Sequence, residues 1–309
     1  MKAFFTFVLL LGLTAGPPLA ASDATGAAVD GLGAAEESVR LAAADSLRDA
    51  GAAELGPHAG TLIDLLEREP SRLVRAKIAW ALGNVETAAA PQLPRLVAVY
   101  RREPELDVKR TLLRAFSRIR PSTPEVVDLL VAELPRPILG GQALPALGAL
   151  GRTARPAVPA LVAVLSGEDS SNRISAAIAL GSILEASPIS PGGADPLPAA
   201  VAALARSLGD LHLSVRQEAA QALGKIGPAA AAAIPALIAV LELEDDGNSD
   251  SSVHRYAAWS LGRMGKLALP AVPALRRCYD NDPDPFTRKA AAAALGKLGV
   301  PPIGKNLET

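Results

Sequence analysis

The segment VRQEAAQALGKIGP at residues 215–228, followed by PALIAVL at residues 235–241, carries the pattern that decides the fold. Its apolar residues recur at steps of three and four from Val215 to Ile226, which is the spacing of one apolar face of an α-helix. Gly227-Pro228 predicts the end of this helix, because glycine accepts a left-handed cap and proline cannot continue a helix. The second segment predicts another helix, opened by proline in its first turn. Together they predict a helical hairpin.

The same pattern recurs along the chain. Arginine opens the first helix in five copies, in three of them directly after valine, and a large apolar residue further on forms an anchor. The anchors are Leu47, Leu82, Phe116, Leu147, Leu180, Leu223, Leu261 and Leu295. They are 31 to 43 residues apart, which is typical of stacked helical units interrupted by loop insertions. Second helices are predicted at residues 94–100, 125–134, 159–165, 197–208, 235–241 and 273–279.

A single helical hairpin cannot bury its own apolar face, whereas a stack of hairpins can. Alanine and leucine supply 62 and 46 of the 309 residues and aromatic residues only 3%, a composition that favours helix throughout. The Leu-Gly-x-x-Gly phrases follow helices rather than strands, so we interpret them as helix caps and not as phosphate-binding loops. The sequence therefore predicts an all-α fold, an α-solenoid.

The repeated motif resembles HEAT repeats, in particular the short variety first described in phycobilisome lyases. The matching features are the Val-Arg opening, the Ala-Ala-x-Ala-Leu-Gly middle and the Pro-Ala-Leu of the second helix. The resemblance covers residues 36–299 and implies a right-handed superhelix of about seven to eight stacked hairpins. Armadillo-like helical stacks and tetratricopeptide stacks are the nearest alternatives. The Trp and Tyr spacing of a tetratricopeptide is absent, and a third helix per unit is not visible.

The N-terminal residues 1–21 are typical of a secretory signal peptide. Met1-Lys2 is followed by an apolar run at residues 3–13 and then by small residues up to Ser22. The run is shorter than the roughly 20 apolar residues that a comfortable membrane span needs. We therefore expect a periplasmic or secreted protein without a stable membrane span after removal of the leader. An uncleaved anchoring helix is the alternative.

The two ends of the repeat array differ from its middle. Residues 22–35 are rich in alanine and glycine, so they are predicted to form a flexible lead-in. Residues 300–309 form a C-terminal tail that is too short for a second helix. The last unit is therefore predicted to be half-built, with its first helix as an edge that either frays or is covered by another molecule.

The composition gives little support for catalysis. The chain has one cysteine, too few for a disulfide framework or a cysteine-based zinc site, and its 31 basic and 32 acidic residues give no general attraction for nucleic acid. Cys278 is predicted to be a buried packing thiol, and His254 stands where other copies hold arginine. His58, His212 and His254 lie in different units without a second ligand at metal spacing. We therefore expect no enzyme activity, no catalytic residues and no cofactor.

A weak calcium candidate lies between the sixth and seventh units. Asp246, Asn248 and Asp250 have the alternating spacing that begins a calcium-binding loop. Ser251 stands where the sharp-turn glycine belongs, however, and Ala257 stands where the bidentate glutamate is needed. The favoured interpretation is a solvated acidic loop, with no metal site.

Candidate binding residues occur two positions before the anchors. This position varies from copy to copy, so packing does not dictate it and we expect it to be exposed or half-exposed. Trp80 and Trp259 both occupy it, and Tyr256, Trp259 and Arg263 share one helix face. Tryptophan, tyrosine and arginine are the commonest anchors of protein interfaces. The alternative is that each tryptophan only fills a gap between neighbouring first helices.

A second candidate surface is basic. Residues 95–120 contain eight basic and three acidic residues, and Arg110, Arg114 and Arg118 step by four along one helix face. Such a stripe suits an acidic partner or an anionic polymer, and its binding would depend steeply on salt. The alternative is a solvated face without a ligand.

The arginine that opens the repeats is interpreted as structural. It occurs as Arg40, Arg75, Arg173, Arg216 and Arg288. Acidic residues just before it are predicted to cap the first helices and to form ladders between repeats. They are Glu36, Glu105, Asp169, Asp250 and Asp284.

The sequence thus favours a non-enzymatic exported scaffold or adaptor that mediates protein–protein interaction. By resemblance, the second helices line a concave groove, with Ala160, Ala163, Ala203, Ala236 and Ala239 predicted to point outward. The partner is expected to be a protein, not a nucleic acid, bound in this groove or on the aromatic face. Two alternatives stay open: a bilin-lyase-like or chaperone-type enzyme role, suggested by the repeat subtype, and binding of an anionic polymer through residues 95–120.

Overall fold

The computed structural model describes residues 21–120, 123–185, 195–243 and 251–301. These residues form α-helices joined by turns and short 3₁₀ segments, and the described ranges contain no β-strand. The fold is therefore all-α, as the sequence predicts.

First and second helices alternate along the chain after α1 (Ala21–Gly31). The first helices are α2 (Glu37–Ser46), α5 (Arg72–Asn84), α7 (Leu106–Ile119), α9 (Pro137–Leu150), α11 (Ser170–Ile183), α13 (Leu213–Ile226), α15 (Ser251–Met264) and α17 (Pro285–Lys297). The second helices are α4 (Ala59–Arg68), preceded by the short α3 (Ala52–Leu55), then α6 (Leu93–Arg102), α8 (Pro124–Glu133), α10 (Val158–Val164), α12 (Leu197–Ser207), α14 (Ile234–Glu242) and α16 (Val272–Asn281). The predicted second helices are confirmed to within two residues at each end.

The chain divides within α7 into two compact units, Met1–Val108 and Lys109–Thr309. In the first unit α2 packs on α5, and α4 packs on α5 and α6. In the second unit each first helix from α9 to α17 packs on the next first helix, and each second helix from α10 to α16 packs on the next second helix. Each of these second helices also packs on the first helix that follows it. The helical hairpins are therefore stacked, which is the arrangement of an α-solenoid.

The anchors are core residues in both units. All eight anchor side chains, from Leu47 to Leu295, are at most 1% exposed. Full burial of one such side chain stabilises a fold by about 1.5–3 kcal/mol relative to exposure. The large apolar residue chosen from the repeat pattern is therefore the core residue of each repeat.

The first glycine of the Leu-Gly-x-x-Gly phrase is not a cap, contrary to our interpretation of the sequence. It lies inside the first helix, and at Gly181 and Gly262 the backbone of the next first helix is too close for a side chain. A Cβ atom at Gly181 would lie 2.9 Å from the Cα of Ala222, and one at Gly262 would lie 2.9 Å from the Cα of Ala294. The glycine therefore sets the spacing between successive first helices.

The second glycine of the phrase is a cap, as predicted. Gly151, Gly227, Gly265 and Gly299 each lie four residues after an anchor and have φ between 56° and 79°. Residues with a Cβ atom rarely adopt this conformation. Glu86 and Arg120 occupy the same position after Leu82 and Phe116, with φ of 55° and 51°.

The lead-in differs from the sequence prediction. Residues 21–31 form α1, which packs on α2. This helix begins one residue before the segment 22–35 that the sequence predicts to be flexible. Thr25, Val29 and Leu32 are buried, at steps of three and four residues. An alanine- and glycine-rich composition suits a flexible linker, but alanine is also the best helix former. The buried contact with α2 decides in favour of the helix.

One helical run among the described residues, Leu213–Glu242, meets the length and composition of a membrane span. Half of its most apolar window is buried inside the protein, however. It contains α13 and α14 with a 3₁₀ segment, Gly227–Ala233, between them. The run is therefore accounted for as two core helices of one repeat.

Candidate protein-binding surfaces

A groove on the second unit is lined by three successive first helices, α13, α15 and α17. Its volume is about 480 Å³. Tyr256 and Trp259 of α15 and Phe286 of α17 supply its aromatic lining. We call it the aromatic groove. The structure thus brings together two of the three residues of the predicted aromatic face and adds an aromatic residue from the next repeat.

Trp259 is held between α13 and α15. A Cβ atom at Gly224 would overlap the six-membered ring of Trp259, so the missing side chain of this glycine makes room for the indole. Beside it, the buried Ser260 hydroxyl donates a hydrogen bond of 2.7 Å to the carbonyl of Ala220. This is the gap-filling contact that the alternative interpretation predicts. The indole is nevertheless only partly buried and also lines the groove.

Arg263 also contacts the indole of Trp259. Its guanidinium lies 5.7 Å from the centre of the Trp259 ring, a cation–π distance. Its Nε donates a weak hydrogen bond of 3.4 Å to the carbonyl of Gly224. Arg263 is exposed and one turn beyond Trp259, so both side chains lie on the same face of α15.

Phe286 was not identified from the sequence. It is 65% exposed, an unusual position for phenylalanine. Asp284 caps α17 by accepting hydrogen bonds from the backbone N–H groups of Phe286 and Thr287 at 3.2 and 3.0 Å. These bonds fix the first turn with Thr287 fully buried and Phe286 facing outward. The available signal was an apolar residue one position out of register with the buried face of its helix.

Three cations surround the aromatic lining, one from each helix. They are Lys225 of α13, Arg255 of α15 and Lys289 of α17. Arg255 also lies over the Tyr256 ring, 5.4 Å from its centre. Among the described residues that line the groove, none is acidic. The groove therefore combines an apolar floor with positive charge at its rim.

Two carboxylates lie near these cations without lining the groove. Burial raises the pKa of the Glu218 carboxyl, and the charge of Lys225 acts in the opposite direction. Burial also acts to raise the pKa of Asp284, but hydrogen bonds from Thr287 and from the backbone of Phe286, together with the charge of Arg255, leave it lower than usual. Asp284 therefore remains an anion committed to the helix cap.

The variable position before the anchors is exposed or half-exposed in every repeat, as predicted. This holds for Asp45, Trp80, Arg114, Pro145, Ile178, Gln221, Trp259 and Ala293. Trp80 lies on α5 in the first unit, so it does not belong to the aromatic groove. Its role in binding stays a prediction.

One arginine of the predicted basic stretch is engaged in ion pairs. Arg95 of α6 pairs with Asp64 and Glu67, with Nη2 at 2.7 Å from each carboxylate. The hydrogen bonds that Arg95 donates to Glu67, and then to Asp64, raise the pKa of the Arg95 guanidinium. Arg110, Arg114 and Arg118 are exposed on α7 at the predicted four-residue spacing. Arg114 and Arg118 also have interactions of their own, and a role of this stripe in binding stays a prediction.

The repeat arginines form ladders, but with partners other than those predicted. Arg40 donates two hydrogen bonds to Glu69 at 2.8 and 3.1 Å. Arg75 binds Glu103 at 2.9 Å through both Nε and Nη2, and Arg173 binds Asp210 at 2.8 and 2.9 Å. These carboxylates end the second helices, 28 to 37 residues after the arginine. Each of these arginine–carboxylate pairs, which we call a ladder, thus joins the two helices of a repeat.

The same carboxylates fix the start of the following first helix. Glu69 accepts a hydrogen bond of 2.8 Å from the backbone N–H of Ser71, and Asp210 accepts one of 2.8 Å from His212. The next arginine then binds backbone carbonyls at this junction: Arg216 donates to Asp210 at 2.8 Å, and Arg288 donates to Asp282 at 2.7 Å. A structural role for the repeat arginine is therefore evident.

The predicted acidic partners have other roles where the structure describes them. Asp169 and Asp284 cap α11 and α17, as expected, but neither is the ladder partner of an arginine. Glu36 precedes α2 without a side-chain capping bond, and Glu105 lies 3.9 Å from Arg72. Prediction of the ladder partners was wrong because a carboxylate at the end of the second helix lies closer to the guanidinium than one at the helix start.

His254 takes the place of the ladder arginine in the seventh repeat. Its Nδ1 lies 3.2 Å from Oδ2 of Asp282, and both side chains are about 5% exposed. Cys278 donates a weak hydrogen bond of 3.8 Å to the same oxygen. Burial, and then the charge of Asp282, raises the pKa of the Cys278 thiol to about 12. The prediction of a buried packing thiol is confirmed, and the raised pKa keeps this thiol protonated rather than nucleophilic.

Metal-ligating groups are scattered. Within the described ranges, no group of three or more histidine, cysteine or acidic side chains is arranged to hold a metal ion. The calcium candidates Asp246, Asn248 and Asp250 lie outside the described residues. So do most of the predicted signal peptide at 1–21 and residues 302–309 of the predicted tail.

The outward face of the second helices is largely as predicted. Ala163 and Ala239 are exposed, and Ala160 and Ala236 are partly exposed. Ala203 is the exception: it is 3% exposed. The prediction for this helix was one residue out of register, since its neighbour Ala202 is exposed.

Comparison with known proteins agrees with this architecture. A model of HEAT repeats matches residues 243–303, and a model of the phycobilisome (PBS) lyase HEAT-like repeat matches residues 215–242. A solved crystal structure of an engineered protein is similar in fold, with a TM-score of 0.61 and 22% sequence identity over 89% of this chain and 78% of that one. No curated protein sequence matches the chain.

The buried anchor of the matched residues recurs in every unmatched repeat, the Val-Arg opening recurs at Val39-Arg40 and Val74-Arg75, and the glycine cap with positive φ recurs at Gly151. The unmatched repeats also have the same pairing of first and second helices. The chain therefore contains HEAT repeats, and its repeats resemble those of the phycobilisome lyases.

Proposed function

We propose that this protein is a non-enzymatic, exported scaffold that binds another protein through the surface of its repeat array. HEAT repeats are typical of protein-interaction scaffolds, and the chain presents surfaces suited to that role. The observation that carries the proposal is the aromatic groove, where Trp259 and Phe286 are left partly or largely exposed. Exposed aromatic clusters on soluble proteins mark interaction sites.

The absence of a catalytic constellation among the described residues supports the non-enzymatic part of the proposal. Cys278 is the single cysteine, and burial keeps its thiol protonated. Two described histidines, His212 and His254, lie next to carboxylates. Both belong to the ladders between helices. Their contacts are structural ones.

The proposed export rests on residues 1–21 and is tested separately from binding. The full chain and a variant lacking these residues would be expressed with a C-terminal tag in a Gram-negative host. We expect the full chain in the periplasm or medium and the shortened chain in the cytoplasm. Equal distribution of both chains would contradict export without affecting the binding proposal.

Binding is tested by cross-linking the tagged full chain in the exported fraction at low and raised salt. Recovery of a defined protein partner at both salt concentrations supports a scaffold. Recovery of a chromophore would instead support a lyase-like role. The absence of any partner in a fraction that contains the protein would count against the proposal.

Binding of an anionic polymer is a second candidate function, supported by the exposed stripe Arg110, Arg114 and Arg118. Replacing all three by glutamine would abolish retention on heparin if this stripe is the site. Retention that is unchanged by the substitution, or absent in the native protein, would remove this candidate.

A further inference from the structure

We infer that the aromatic groove binds an acidic segment of the partner protein that carries one aromatic or large aliphatic side chain. This inference rests on the proposed function and assigns it a site and a partner chemistry. The apolar side chain would lie between Trp259 and Phe286, and flanking carboxylates would meet Lys225, Arg255 and Lys289.

The floor of the groove is fixed before any partner arrives. The indole of Trp259 packs into the space that Gly224 leaves free, and the Arg263 guanidinium lies 5.7 Å from the centre of its ring. The first turn of α17 is held by the Asp284 cap, which keeps the neighbouring Phe286 exposed. Since these groups are already ordered, a partner gains apolar contact without first ordering the site.

The charges of the groove are available to a partner. In the described part of the chain, Lys225, Arg255 and Lys289 form no ion pair within 4 Å. The nearby Asp284 is engaged with the backbone of Phe286 and Thr287 and with the Thr287 hydroxyl at 2.7 Å. The charge of Arg255 acts on Asp284 and that of Lys225 on Glu218, but no described carboxylate lines the groove. Three cations around an apolar floor are complementary to carboxylates that flank an apolar residue.

A peptide fits this site better than a long polyanion does. The groove volume of about 480 Å³ lies within the range of about 300–1,000 Å³ for sites that enclose a small ligand or a few side chains. Only three cations line it, and the chain as a whole has a net charge of −1. Polyanion binding normally draws on more cations and on a positive overall field. The aromatic floor would have no role with a polymer of charged groups alone.

The test begins with selection of a random peptide library on the immobilised full chain. We expect enrichment of acidic peptides with a central aromatic or large aliphatic residue. The best peptide is then labelled, and its dissociation constant is measured by fluorescence anisotropy at low and raised salt. Failure to enrich any peptide, or enrichment of basic peptides, would overturn the inference.

Variants locate the site. Phe286→Ala should weaken binding of the selected peptide by about tenfold or more, as truncation of an interface anchor does. Lys289→Glu should weaken it and reduce its salt dependence. The matched control is Arg276→Glu on the second helix α16, an equally exposed charge reversal outside the groove, which should leave affinity unchanged. Because Phe286 and Lys289 are exposed, loss of binding in these variants does not reflect unfolding.

The outcomes also separate this inference from the proposed function. Cross-linking of a natural partner that both groove variants leave intact would overturn the groove while the scaffold stands. Another outcome is that the native protein binds anionic vesicles or heparin but no peptide, and that the groove variants lose that binding. This result would overturn the proposal of a peptide partner. If neither a peptide nor a natural partner binds the native chain, the inference and the scaffold both fail.

Discussion

Replacing Gly181 by alanine tests whether glycine sets the spacing of the first helices. The new methyl group would lie 2.9 Å from the Cα and 3.0 Å from the Cβ of Ala222 on α13. Ordinary contact between carbon atoms lies at about 3.5–4.0 Å. The opposing atoms are backbone and a short side chain, so they cannot rotate away. The helices α11 and α13 must therefore separate.

Two effects of opposite sign determine the result. Overpacking of a close helix interface costs about 1–3 kcal/mol, and the better helix propensity of alanine offsets about 1 kcal/mol of this. Gly296 occupies the same position after the anchor Leu295, but nothing lies within 4 Å of a Cβ atom there. Gly296→Ala should therefore show the propensity gain alone. The difference in unfolding free energy between the two variants then equals the overpacking term.

The assay is chemical denaturation followed by circular dichroism, with hydrogen exchange of α11 and α13 to locate the loosening. We expect Gly181→Ala to be less stable than Gly296→Ala by about 1–3 kcal/mol, with faster exchange confined to the neighbouring repeats. If both substitutions stabilise the protein equally, the close approach of the helices does not require glycine and the reasoning is wrong.

Three further predictions concern single side chains. Arg120 has a φ of 51° at a position that glycine holds in other repeats, so Arg120→Gly should raise the free energy of unfolding by roughly 0.5–1 kcal/mol in denaturant titrations, whereas Gly227→Ala should lower it. Hydrogen bonds from Arg173 lower the pKa of Asp210 against the raising effect of burial. The ionised Asp210 carboxylate therefore stabilises the fold above its unfolded pKa of about 3.9, and this stabilisation is lost as the pH falls through the folded pKa. Asp210→Asn should be less stable than the native protein at pH 7. The thermal midpoints of the two proteins should converge in acid. Burial, and then Asp282, raises the pKa of the Cys278 thiol to about 12, so it should resist Ellman's reagent at pH 8 until denaturant is added, and rapid modification of the folded protein would contradict this.

The fold was predictable because its signal is periodic and local. The anchors, the second helices and the capping glycine are each visible within one repeat, and the eight anchors are all buried as expected. The role of Gly181 in setting the distance between first helices is different, because it depends on which residue of the next first helix lies opposite it. The same glycine reads as a cap until Ala222 is known to lie opposite it.

The candidate site was only half predictable. Tyr256 and Trp259 share one helix face, so their proximity follows from sequence spacing alone. Phe286 reaches them from the next repeat, and the rotation of α17 that exposes it is set by the Asp284 cap. The ladder partners were missed for a related reason. Glu69, Glu103 and Asp282 each precede a proline at the end of a second helix, and this signal becomes meaningful only when that end is known to meet the arginine.

The ladder position in the seventh repeat allows a last test. His254 makes one contact with Asp282, at 3.2 Å, and its Nε2 is buried without a hydrogen-bond partner. Arg173, at the same position of its own repeat, makes two bonds to Asp210. A cavity of about 500 Å³ beside His254 leaves room for a longer side chain.

His254→Arg should therefore restore the paired hydrogen bonds and remove an unsatisfied buried nitrogen, whose cost is about 1–3 kcal/mol. We expect a higher unfolding midpoint, with Arg173→His as the reverse control that lowers it. A less stable His254→Arg protein would show that the histidine is suited to its surroundings rather than a weaker substitute for arginine. Since Trp259 lies on the same helix and lines the groove, peptide affinity in this variant also reports whether the ladder positions the groove. Unchanged affinity is expected, because Gly224 and Ser260 hold the position of Trp259 independently of the ladder.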